Sequence, residues 1–127
     1  MRLAGLGEAA ALDPDLAEWS YGAYEGLTTP QIRETVPGWT VFTHPCPGGE
    51  SAAEVAARAD RVIAKARGAG GDVAIFSHGH MGRVLAARWL GLPPTEGRHF
   101  LLGTATLNVL GWERETPAVA IWNAPLP

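Results

Sequence analysis

A single cysteine, Cys46, excludes an internal disulfide and leaves any multi-thiolate zinc site without ligands. Lysine is as scarce: the ten basic residues are nine arginines and Lys65. They do not offset 13 acidic residues, and a formal charge of −3 with a pI near 5.7 argues against nucleic acid or an anionic membrane as partner. No apolar run approaches the ~20 residues of a membrane helix, and Glu8 interrupts the opening segment too early for a signal-peptide core. These absences predict a reducing, cytoplasmic setting. The bias towards Arg, Ala, Gly and Pro points to a GC-rich, bacterial genome and carries no functional content. What remains is ordinary globular composition: 127 residues, 46% hydrophobic and 18% charged, enough for one domain with its own core. No internal repeat or low-complexity linker divides it.

The organising stretch is Asp72-Val-Ala-Ile-Phe-Ser-His-Gly-His-Met-Gly82. Asp72–Phe76 reads as a short buried strand, Ser77-His-Gly79 as a turn, and Met81–Leu90 as a helix. Strand, glycine turn and helix make half of a βαβ unit, and in open α/β sheets ligands collect where strands end and helices begin. Unpaired N–H groups at a helix start favour an anion. A histidine at that junction, His78, therefore points to phosphate.

Around this centre the other elements are short. Leu3–Gly7 resembles the tail of a helix with a glycine stop, and Ala9–Leu12 a short strand closed by Asp13-Pro14. Leu16–Leu27 is an aromatic, glycine-rich loop holding Glu18 and Glu25. Thr28-Thr-Pro30 opens a short helix through about Thr35, ended by Pro37-Gly38. Trp39–Gly49 is a second irregular loop. Ser51 and Glu54 have capping-box spacing, and Val55, Ala59, Val62, Ile63 and Ala66 form one apolar helical stripe, stopped at Gly68–Gly71. Thr95–Arg98 is a turn. Ala105–Trp112 and Ala118–Trp122 read as an edge hairpin.

Several residues compete for chemistry. Ser77 lacks the glycine two positions earlier that a hydrolase elbow needs; Ile75 stands there. His78 and His80 are a poor metal pair, because no third ligand clusters with them. Glu18 is the better candidate acid, since a loop carboxylate beside a cleft can be tuned by burial; the alternative, a carboxylate bonding loop amides, stays open. Glu25 is read as structural within its turn. Trp19, Tyr21 and Tyr24 are read as packing residues, with pocket walls as the lesser reading. His44 and Cys46 are read as peripheral, and His99 as surface.

Glu18-Trp-Ser-Tyr-Gly22 with Tyr24-Glu-Gly-Leu27 resembles the acid-bearing loop of the histidine phosphatase superfamily, the phosphoglycerate mutase-like proteins. Pro47-Gly-Gly-Glu-Ser51 resembles the next loop and helix start of that family, and Ile75-Phe-Ser-His-Gly79 its strand and second pocket histidine. The resemblance implies a three-layer α/β/α sandwich and phosphomonoester hydrolysis through a phosphohistidine, by a phosphatase rather than a mutase. It implies a small phosphorylated substrate and neither metal nor organic cofactor. In it His78, with Gly79, binds phosphoryl oxygens, and Glu18 protonates the leaving oxygen and then activates water.

The family's nucleophile lies in an Arg-His-Gly motif, and no such tripeptide occurs here; the one Arg-His pair, Arg98-His99, precedes Phe100. The sequence therefore predicts an N-terminally truncated single domain over residues 1–127, a fragment without its nucleophile. Its uncovered apolar edges would favour self-association into a homo-oligomer. A non-catalytic phospholigand-binding or interaction module is the alternative.

Overall fold

The computed structural model describes residues 11–127. The helix tail expected at Leu3–Gly7 and the opening of the strand expected at Ala9–Leu12 lie outside the described residues. Ala11 and Leu12 have no regular structure, and Pro14–Leu16 forms a 3-10 turn capped by the Asp13 carboxylate, which accepts the Asp15 N–H at 2.9 Å.

Three α-helices follow. α1, Thr29–Arg33, starts with a reciprocal capping box between Thr28 and Gln31. α2, Ala52–Gly68, starts with the capping box expected of Ser51 and Glu54, whose two bonds each span 3.1 Å. α3, Gly79–Trp89, begins two residues earlier than the apolar pattern alone indicates. Val55, Ala59 and Val62 of α2 are buried against Met81, Val84 and Leu85 of α3. Trp19, Ile32, Trp39, Val41 and Phe42, from α1 and the two long loops, close the same core. Cys46 belongs to it as well, which corrects the peripheral placement expected of that residue: its thiol is buried, and burial raises its pKa.

β1, Thr106–Glu113, and β2, Thr116–Pro125, form the expected hairpin. They pair antiparallel with Glu113 opposite Thr116, so the turn is Arg114-Glu115, and Arg114 adopts positive φ (55°). The register shifts around Val109, where the ladder is irregular. Trp89 of α3 anchors the hairpin by donating its indole N–H to Gly111 O at 2.9 Å, and the Arg67 guanidinium lies 4.7 Å from the Trp89 ring and 4.9 Å from that of Trp112.

The strand expected at Asp72–Phe76 is not formed. Residues 72–78 have no regular secondary structure, and Val73, Ile75 and Phe76 are 46, 40 and 55% exposed. A strand needs a ladder partner for its backbone groups, and among the described residues the sheet consists of β1 and β2 alone. The apolar run is present, but nothing described lies beside it to pair with it. For the same reason the described residues show helices and an antiparallel hairpin rather than three layers around a parallel sheet.

The core and the caps should respond differently to substitution. Met81 is fully buried, so Met81→Ala is expected to cost about 2–5 kcal/mol. Ser51→Ala removes one cap and is expected to cost about 1 kcal/mol. Urea denaturation at low protein concentration checks both; equal costs would contradict the placement of Met81 in the core.

Candidate active site

Glu18 reaches the start of α3. Its Oε1 accepts the N–H of Met81 at 2.9 Å and that of its neighbour Trp19 at 2.8 Å, and Oε2 accepts the N–H of His80 at 3.1 Å. Two of the open N–H groups at the helix start are thereby satisfied by an anion, the arrangement the backbone dipoles favour. A carboxylate has roughly four lone-pair positions, so one remains on Oε2. It lies near Gly79, where a Cβ would stand 4.0 Å away. The sequence left open whether Glu18 is a cleft carboxylate or one that bonds amides. It does bond amides, and two of the three belong to the helix that carries His78.

His78 is the N-cap of α3, with extended backbone (φ −124°, ψ 169°) and no side-chain capping bond. Its side chain is exposed at the junction. Among the described residues no group accepts the N–H of Gly79. Ser77, excluded above as a nucleophile, donates its hydroxyl to Leu16 O at 2.8 Å and so pins the turn to the Glu18 loop.

Arg58 of α2 holds that loop from behind. Its guanidinium donates to the carbonyls of Asp15 (2.7 Å) and Ala17 (2.8 Å) while forming a two-pronged ion pair with Glu50 at 2.8 and 2.9 Å. Glu50 in turn accepts the Ser20 N–H at 3.0 Å. Burial raises the Glu50 pKa, but the Arg58 and Ser20 bonds outweigh it and hold the carboxyl below its ordinary range. Glu25 accepts the Tyr21 N–H at 2.8 Å, the structural role expected of it. The loop also touches the next one backbone to backbone: a Cβ on Gly22, which has positive φ, would collide with Pro47 O and Gly49 N, and one on Gly49 with Ser20 O.

Beside this junction lies a cavity of about 350 Å³, lined by Tyr21, Tyr24, Leu27, Thr29, Ile32, Trp39, Thr40, Val41, Phe42, His80, Arg83 and Arg98. Trp19 is core, as expected, whereas Tyr21 and Tyr24 are also pocket walls. His80, Arg83 and Arg98 were not singled out by sequence reasoning as pocket residues. The available signal was the i, i+3 spacing of His80 and Arg83, which puts both on one face of α3. His44 bonds Thr43 at 2.8 Å, and His99 is exposed and pairs with Glu96 at 3.2 Å, as expected of a surface residue.

The Tyr21 hydroxyl lies 2.5 Å from Nδ1 of His80. Burial, then the nearby Glu18 and Glu25 carboxylates and Cys46, push the phenol pKa well above its usual value, so Tyr21 keeps its proton. Either partner can be the donor, according to which ring nitrogen of His80 carries the hydrogen. Burial lowers the His80 pKa despite the opposing pull of Glu18, and Arg83 lowers it further. Among the described residues no clustered set of three or more His, Cys, Asp or Glu is placed to hold a metal ion. No helix among them is long and apolar enough to cross a membrane.

The lowered His80 pKa has a defined sign. Below the unfolded histidine value of about 6.5 the unfolded chain binds more protons than the folded one. Stability should therefore fall as pH drops below about 6.5 towards the lower folded value, and His80→Asn should flatten that slope. Urea midpoints across this range check it; an unchanged slope in His80→Asn would show that other groups cause the loss.

Comparison with known proteins supplies the context. Residues 2–125 match the Histidine phosphatase superfamily (branch 1). The chain is 49% identical over 108 residues to an acid phosphatase of Mycobacterium tuberculosis, covering 84% of this chain and 53% of that protein. It is 34% identical over 98 residues to the sedoheptulose 1,7-bisphosphatase of Saccharomyces cerevisiae, covering 64% of this chain and 36% of that protein. The solved structure of an open reading frame product from Mycobacterium tuberculosis superposes with a TM-score of 0.86 at 46% identity, over 89% of this chain and 60% of that one. The chain thus spans about half, or less, of the curated relatives it matches, yet what it spans carries the loop, turn and helix described above, and it belongs to the histidine phosphatase superfamily, branch 1.

Proposed function

We propose that the chain contributes the acid and the phosphate-binding histidine to the pocket of a phosphomonoesterase. The observation that carries this reading is the Glu18 carboxylate bonded to the His80 and Met81 amides, within two or three residues of His78. Acid loop and histidine turn thereby become one site. The family membership and the similarity to proteins named acid phosphatase and bisphosphatase support it.

In this reading a histidine nitrogen attacks phosphorus and the ester oxygen leaves, taking the proton that Glu18 holds at the free position of Oε2. Water then attacks the phosphohistidine while the Glu18 carboxylate accepts its proton, and phosphate and free histidine are released. Splitting the displacement in two lowers each barrier. His78 and the Gly79 N–H stabilise the charge developing on the phosphoryl oxygens, and the acid contributes roughly 10²–10⁴-fold. Gly79 also leaves the approach to Oε2 unobstructed.

The nucleophile is proposed to lie outside the four histidines of this chain. His80 is held by Tyr21, His44 by Thr43 and His99 by Glu96, and none stands in an Arg-His-Gly motif. A segment bearing that motif, in the same polypeptide or in a partner, would pair with residues 72–77 as an inner strand of a three-layer sandwich. The exposed Val73, Ile75 and Phe76 favour this arrangement, and without such a partner they favour self-association. The missing motif favours a second reading too, phospholigand binding without turnover.

Inorganic phosphate should bind the folded chain saturably, and p-nitrophenyl phosphate should not be hydrolysed above background. His78→Ala should weaken phosphate binding about tenfold. Absence of phosphate binding by a folded chain would overturn the pocket, and hydrolysis abolished by His78→Ala would overturn the placement of the nucleophile. Light scattering should show oligomers that a Val73→Glu, Phe76→Glu double variant disperses; a monodisperse wild-type monomer would contradict the exposed-edge reading.

A further inference from the structure

Residues 72–77 make one hydrogen bond among the described residues, and it comes from a side chain: the Ser77 hydroxyl donates to Leu16 O at 2.8 Å. Among those residues no strand pairs with this run, so the backbone that delivers His78 has no ladder to place it. Its packing is thin as well, with Ile75 40% and Phe76 55% exposed. The carbonyl at the other end of the bond is well anchored. Leu16 packs against the core, and the carbonyls on either side of it in the chain, Asp15 O and Ala17 O, are taken by Arg58 at 2.7 and 2.8 Å. Arg58 thus holds Asp15 O and Ala17 O from α2, and Ser77 takes the carbonyl between them.

A second bond closes a ring. Oε2 of Glu18 accepts the His80 N–H at 3.1 Å, so the acid loop is tied to the α3 junction on both sides of His78. The Ser77 hydroxyl is the tie before it and the His80 amide the tie after it. Only His78 and Gly79 lie between them, and these carry two groups that meet no partner among the described residues, the exposed His78 ring and the Gly79 N–H. The two ties differ in what supports them. After His78 the helix continues, with the Gly82 N–H on His78 O at 2.8 Å. Before it, the Ser77 hydroxyl stands alone.

We propose that Ser77 is a positioning residue for phosphoryl binding: its hydroxyl, acting through Leu16 O, fixes the distance between His78 and Glu18 so that both meet one phosphoryl group. The proposal rests on the phosphoryl reading of His78 given above. The bond is exposed, so water competes for both partners and its worth falls at the low end for a neutral hydrogen bond. Ser77 lies outside the buried core that joins α2 and α3, so its loss is felt at the site more than in the stability of the chain.

Calorimetric titration of the full chain with inorganic phosphate tests this in a cycle of Ser77→Ala, His78→Ala and the double variant. Ser77→Ala should weaken phosphate binding about threefold, less than His78→Ala does. In the His78→Ala background the same change should have no effect, because the residue through which it acts is gone. Ser77→Thr keeps the hydroxyl and should bind within about twofold of wild type. Unchanged affinity in Ser77→Ala, or an equal loss with and without His78, would overturn the proposal while leaving the phosphoryl site standing. Absence of phosphate binding by the folded wild-type chain would overturn both. Amide relaxation of the wild-type chain needs no substitution and decides the matter even where a variant fails to fold. The order parameter of His78 should be about 0.85, as in rigid backbone, and a value below about 0.6 would contradict the tie.

Discussion

The bond between the Glu18 carboxylate and the first amides of α3 is the constraint on which the site depends. Residues 17–21 have no helix or ladder of their own, and fixing each costs roughly 1–2 kcal/mol of conformational entropy. A hydrogen bond to a charged group returns about 1.5–3 kcal/mol, and the carboxylate makes three. Three such bonds return roughly 4.5–9 kcal/mol against roughly 5–10 kcal/mol for the five residues, which leaves no margin for holding the loop by the carboxylate alone. The remainder comes from Arg58, which ties the carbonyls just before Glu18, and from Trp19, packed at 2% exposure with its indole N–H on Glu50 O at 3.0 Å. Position is set by packing and by Arg58; direction is set by Glu18.

Backbone contact sets the second constraint. Gly22 and Gly49 let two loops approach more closely than any side chain permits, and the Ala23 N–H reaches Pro47 O at 2.8 Å while the Glu50 N–H reaches Ser20 O at 2.8 Å. These bonds join the loop to the residues that start α2. Glu50 is common to both systems: its backbone pairs with Ser20 and the Trp19 indole, and its carboxylate with Arg58 and the Ser20 N–H. The glycines are therefore part of how Glu18 is aimed, although neither approaches it.

What could be read from the sequence followed the range of each signal. Local signals held for the Ser51–Glu54 box, the stripe from Val55 to Ala66 and the hairpin, while the segment expected as a turn at Thr95–Arg98 is a 3-10 helix over Pro94–His99. The Glu18 carboxylate does meet the start of α3, through the amides of His80 and Met81. Signals that needed a distant partner failed. Val73 to Phe76 has strand composition, but strand formation is decided by a neighbour and not by composition. Tyr21 and His80 are 59 positions apart, and nothing in either neighbourhood announces their hydrogen bond. Cys46 looked peripheral because it lies on a loop near Gly48-Gly49; its burial accompanies the aromatic residues of the same loop turning inward, Trp39 donating its indole N–H to Pro45 O at 3.2 Å.

The two histidines near the start of α3 show how one short segment divides its labour. His78 precedes the helix, with extended backbone and an exposed ring that makes no side-chain hydrogen bond among the described residues. His80, two residues on, is turned by the helix towards Tyr21 and Phe42, with ring centres 5.7 and 5.5 Å away in edge-to-face geometry. Packing and the hydrogen bond to the Tyr21 phenol restrict its orientation. An exposed histidine at the helix start is open to an approaching phosphoryl group. A histidine packed between two aromatic rings serves as a fixed wall of the cavity. The separation arises from the Glu18 carboxylate taking the amides of His80 and Met81, so that the helix begins between the two rings and gives each a different surrounding.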